Sequence, residues 1–179
     1  MVDNLKELKQ KIESIAFSEA LLEVNLYQVN DNFFELPDEG FWIIDAGIEL
    51  KFLSGTISAA WSSELEHFVF DYKPVKEIYT GDNLCQLQNE NILGLNKYVG
   101  KKIYDVKFKS LEFEYVPDYT MRIEKEEHFV ELILEFEDNS QIQIAFVNYE
   151  LQKNKAPRGF SFSIITELLI ATKQIVEIK

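Results

Sequence analysis

Leu5, Leu8, Ile12 and Ile15 recur at spacings of three and four, the period of one helix face, and Asp3 stands where a cap belongs. The spacing predicts an amphipathic helix over Asp3–Ile15. Beyond it the period falls to two: Leu22, Val24 and Leu26 alternate with Glu23 and Asn25, which predicts a strand. Asn30–Gly40 carries Asn, Asp, Pro and Gly and reads as a loop. From Trp42 onward the pattern is that of antiparallel sheet, with Ile48, Leu50 and Phe52 turning through Ser54-Gly55 into Ile57–Trp61.

A second hairpin is written more plainly. Val130, Leu132, Leu134 and Phe136 alternate up to Asp138-Asn139-Ser140, and Ile142, Ile144 and Phe146 return. Between the hairpins, Asp82–Tyr98 is loosely helical through Leu84, Leu87, Ile92, Leu95 and Tyr98, and Gly100 would end that helix. Ile103–Phe108 and Leu111–Tyr115 look like strands, Val116-Pro117-Asp118 is a turn, and Thr120–Ile123 opens a further strand. Lys153–Gly159 reads as a loop before Phe160–Ile178, whose β-branched and aromatic residues favour strands, although Glu167–Thr172 also fits a helical turn. The expected fold class is therefore α+β: an N-terminal helix, a large, mostly antiparallel and curved sheet, and one middle helical segment. At 179 residues the chain is expected to form a single domain over its whole length, 1–179.

Glu66-His67-Phe68-Val69 and Glu127-His128-Phe129-Val130 are identical tetrapeptides 61 positions apart, whereas the two hairpins are offset by 84. One duplication cannot satisfy both offsets, so the tetrapeptide match is read as coincidence. No solenoid-type repeat is present either.

Charge narrows the function. With 18 basic residues against 31 acidic ones the net charge is −13, which repels phosphate backbones and removes the counterion release that drives nucleic-acid binding. Nucleic acids and anionic membranes are poor partners, and a basic protein is a better one. Arg122 and Arg158 are the only arginines, so the bidentate forks that hold phosphates are nearly absent. The apolar stretches Phe41–Ile44 and Ile164–Ala171 fall short of the roughly 20 residues of a spanning helix. A lone cysteine, Cys85, and no apolar signal segment at Met1–Gln10 argue for a cytoplasmic protein.

Familiar catalytic templates are missing. The seven glycines never cluster into a phosphate loop, and Gly-x-Ser-x-Gly, His-Glu-x-x-His and Cys-x-x-Cys are absent. His67 and His128, the only histidines, read as residues that begin strands; a metal or base role would need neighbouring carboxylates such as Glu64, Glu66, Glu124 or Glu127. Cys85 reads as a small packing residue of the middle helix. No catalytic residue, metal or cofactor is assigned.

Two features point to a binding surface instead. Glu112 and Glu114 leave one face of a strand, and Glu124, Glu126 and Glu127 follow in the next, with Asp118 in the turn between, so the six are expected to form one negative patch. Phe33 and Phe34 stand among acids in Asn30–Gly40 and are candidate aromatic anchors for a partner.

The string Leu95-Asn-Lys-Tyr-Val-Gly-Lys-Lys-Ile-Tyr-Asp-Val106, an alternating strand, and the Leu-x-Phe-x-Asp-Asn-Ser hairpin at Leu134–Ser140 resemble small bacterial proteins of uncharacterised families, some of them similar to immunity proteins of polymorphic toxin systems. The resemblance covers about half of the chain, at fold-forming positions, and carries no catalytic residue across. It implies an acidic cytoplasmic protein that neutralises a basic toxin or nuclease by covering its active site, steered by complementary charge. The expected function is thus non-catalytic protein binding, with catalysis disfavoured; the alternative is a small-molecule-binding domain or enzyme with a pocket in the concave sheet face.

Overall fold

The structure, a computed structural model, describes residues 2–30, 34–36, 40–87, 93–115, 123–151 and 157–179. Among the described residues strands far outweigh helices and pair antiparallel, so the α+β class holds with the sheet dominant. Helix α1 spans Val2–Ala16 and buries Ile12 and Ile15, the face its spacing marks out. Five strands form the first sheet in the order β6-β5-β4-β1-β7, from β1 (Glu23–Gln28), β4 (Gly47–Phe52), β5 (Gly55–Ser62), β6 (His67–Asp71) and β7 (Cys85–Gln86). The second follows β2-β3-β12-β10-β9-β8, with β2 (Phe34–Leu36), β3 (Phe41–Ile44), β8 (Ile103–Tyr115), β9 (Glu124–Phe136), β10 (Gln141–Leu151) and β12 (Glu167–Ala171), while β11 (Pro157–Phe162) pairs with β10. Every pairing is antiparallel.

One apolar cluster joins α1 to both sheets: Ile12 and Ile15 meet Leu26, Ile48, Leu50 and Phe68 from the first and Leu132, Leu134, Ile144, Phe146, Leu168 and Ile170 from the second. The opposite faces of β3, β10 and β12 are covered as well, with Phe41, Ile43, Ala145, Val147, Leu169 and Ala171 packed on Phe160. Gln143, fully buried there, accepts from the Val176 N–H at 2.7 Å and donates to the Val176 carbonyl at 3.0 Å, which ties the C-terminal segment to β10. A buried amide needs both bonds, because an unmade one costs about 1–3 kcal/mol.

Several expectations change. Of the two readings of Glu167–Thr172 the strand holds: Glu167–Ala171 is β12, hydrogen-bonded between β3 and β10. Its run Glu-Leu-Leu-Ile-Ala is covered on both faces, so it lacks the alternation that marks a one-sided strand. Within the expected loop Asn30–Gly40, Phe34–Leu36 pairs with β3. Of the expected helix over 82–98, Leu93–Asn96 is α3, residues 88–92 lie outside the described residues, and Cys85 lies exposed in β7 rather than packed in a helix. His128 sits inside β9 rather than at its start. A short helix unread from the sequence, α2 (Val75–Ile78), follows β6. The β9–β10 hairpin turns where expected, with Asn139 at φ 63°, a left-handed conformation that Asn tolerates. Among the described residues no helix is long and apolar enough to cross a membrane.

Candidate functional site

A cleft of about 570 Å³ opens between α1, the β5–β6 hairpin, α2 and β9. Its walls are fixed by core contacts. Phe68 of β6 is 1% exposed, stacks on Phe146 at 5.5 Å and meets Trp61 edge to face at 5.4 Å. Its N–H donates to the Ile164 carbonyl at 2.6 Å, linking the edge of the first sheet to the second. At the far wall the buried Glu49 carboxylate accepts from the Val75 N–H at 2.9 Å, which anchors α2 and with it Glu77 and Ile78 of the cleft lining.

Both histidines of the chain line this cleft, one from each sheet, with ring centroids 4.8 Å apart and planes at 81°. The Nδ1 of His67 lies 2.9 Å from the Phe68 carbonyl; a carbonyl only accepts, so Nδ1–H is the donor of this contact. His128 is half-buried, opposite Leu111 and edge-on to Phe113 at 5.8 Å. Burial lowers its pKa from the ordinary histidine value, the His67 ring lowers it further, and Glu126 opposes both. The Oε2 of Glu126 stands 3.7 Å from His128 Nε2, beyond hydrogen-bond reach.

The lining is strongly acidic. Among the described residues it holds Glu7, Glu64, Asp71, Glu77, Glu126 and Glu127 against one lysine, Lys73, together with Phe68, Phe70, Tyr72 and Phe129. Such a cleft concentrates cations, because low-dielectric walls focus the field of one charge sign.

The expected acidic set is divided by this geometry. Directly opposed residues of an antiparallel pair share a face; Glu112 faces Glu127 and Glu114 faces Lys125, whereas Phe113 faces Glu126 and Tyr115 faces Glu124. The first group is exposed, the Glu124 and Glu126 pair half-buried. Lys125 sits 2.8 Å from Glu112 and 3.0 Å from Glu114, and the two carboxylates hold its pKa well above the usual lysine value. Part of the outer charge is therefore neutralised in place. Glu126 and Glu127 reach the cleft, and Glu112 and Glu114 do not line it. Asp118 and Phe33 lie outside the described residues, and of Phe34 only the backbone in β2 is described.

Sequence reasoning missed the meeting of His67 with His128. The signal was the repeated Glu-His-Phe-Val, set aside because its offset matched no hairpin repeat. Among the described residues no group of three or more His, Cys, Asp and Glu side chains is placed to hold a metal ion. No family model matches the chain, and neither a curated protein nor a solved structure matches it.

Proposed function

We propose that this protein is a non-catalytic binding protein whose acidic cleft receives a basic segment of a protein partner, in the manner of an immunity protein that covers a basic toxin or nuclease. The observation that carries the reading is the cleft lining, which among the described residues holds six carboxylates, the Tyr72 and Phe129 rings and one lysine, Lys73. Carboxylates give charge-assisted bonds to lysine or arginine, and Tyr72 and Phe129, the two rings of the lining that are not buried in the core, offer surface on which a cation's methylene stem can rest. The overall charge of −13 would speed encounter with such a partner.

Anisotropy of a labelled lysine- and arginine-rich peptide tests the reading. Binding is expected at low salt and lost at high salt. The double variant Glu64→Lys/Glu126→Lys is expected to weaken it at least about tenfold, equivalent to about 1.4 kcal/mol. Equal affinity in wild type and variant, or no binding by wild type, overturns it.

A second reading is favoured by the cleft volume of about 570 Å³, which lies within the range of small-molecule sites, about 300–1,000 Å³. A neutral or anionic metabolite that raises the melting temperature, while basic peptides fail to bind, would move the assignment there.

A further inference from the structure

Beyond partner binding, we infer that His67 and His128 form a two-histidine site for a divalent transition ion of the zinc, nickel or copper(II) kind. The first ground is spacing. Two imidazoles on one tetrahedral ion, with metal–nitrogen bonds of about 2.0–2.1 Å, place their ring centroids about 5 Å apart; here they stand 4.8 Å apart with planes crossed at 81°. The second is the backing of His67. Metal-binding imidazoles characteristically donate their other N–H to a carbonyl or carboxylate, and His67 Nδ1 meets the Phe68 carbonyl at 2.9 Å, leaving Nε2 as the ligand atom. The third is the surrounding charge: Glu126 Oε2 lies 3.7 Å from His128 Nε2, and Glu64 and Glu127 line the same cleft.

The pair supplies two protein donors. Glu126, 3.7 Å from His128 Nε2, is the carboxylate beside the pair, and water would complete the shell, which is the open arrangement of an exchangeable site rather than the closed one of a structural site. Imidazole ligands set the selectivity: zinc, nickel and copper favour them, whereas calcium and magnesium favour oxygen donors. The inference does not rest on the partner reading, since zinc binding can fail while a basic peptide still binds, and the reverse.

Zinc chloride titrated into chelator-treated protein tests it, followed by the histidine Cε1–H resonances and by a competing chromophoric chelator. One equivalent of zinc is expected to move both imidazole signals together, with calcium moving neither. His67→Gln and His128→Gln are each expected to abolish one-to-one binding, and Glu126→Gln to weaken it about tenfold. Response of a single imidazole, no stoichiometric binding by wild type, or retention of the site in either histidine variant overturns the inference. The two-signal response of the wild-type protein decides the question should a variant fail to fold.

Discussion

The tetrapeptide Glu-His-Phe-Val occurs at 66–69 and again at 127–130, and the two copies meet at their histidines while burying different neighbours. In β6 the alternation is regular: His67 and Val69 are half-buried, Phe68 and Phe70 buried. In β9 it is broken. Lys109 of β8 pairs with Glu131 and Ser110 with Phe129, which leaves Val130 as the extra residue of a bulge, fully buried, while Phe129 is half-buried against Phe108 at 4.8 Å. A bulge inserts one residue and re-aims its neighbours. Identical local sequence thus gives different burial, and the pairing partner rather than propensity sets which side chain enters the core.

That contrast can be broken by truncation. Phe68→Ala is expected to cost about 3–5 kcal/mol, the usual range for a fully buried ring, and Phe129→Ala about 1–2 kcal/mol because half its surface term is absent. Urea unfolding of both variants measures the gap, and equal losses would refute the burial difference. The order should invert at the next position. Val130→Ala is expected to cost about 2 kcal/mol and Val69→Ala less than about 1 kcal/mol, scaling with the methyl groups buried, and melting temperatures suffice to rank them.

A further small effect is expected away from both copies. Glu167, at the start of β12, has a buried Oε2 without a hydrogen-bond partner among the described residues. Burial first, and the Asp45 charge second, push its pKa up to about 7. A carboxyl whose folded pKa is raised contributes stability that is present below its unfolded value and lost as pH rises through the folded one. Wild-type stability should therefore decline between about pH 4.5 and 7 through this group. Glu167→Gln is expected to remove that decline and to raise stability at pH 8 by the order of 1 kcal/mol, allowing for screening of a partly exposed group. Paired thermal melts at pH 5 and pH 8 check the sign.

Alternation made α1 and β9 legible, because each has one buried side and one wetter side; the hairpins β4–β5 and β9–β10 were legible from their alternating sequence and turn residues although β4, β5 and β10 are buried on both faces. Strands β3 and β12 were harder, since both of their faces are covered and their sequences read as continuous apolar runs. The acidic set was visible as composition, but not its division between the two faces of β8–β9, which depends on register: a one-residue slip would exchange Glu126 with Glu127. The cleft was not legible at all. Its walls come from α1, the β5–β6 hairpin, α2 and β9, and no local period reports a contact between His67 and His128.

The central claim is that cations enter this cleft and do not settle on the outer hairpin face. Amide chemical-shift mapping with a lysine- and arginine-rich peptide tests it most directly. Shifts are expected in the segments around Glu64–Tyr72 and Glu126–Phe129. Shifts confined to the neighbourhood of Glu112 and Glu114, with the cleft amides unmoved, would contradict it.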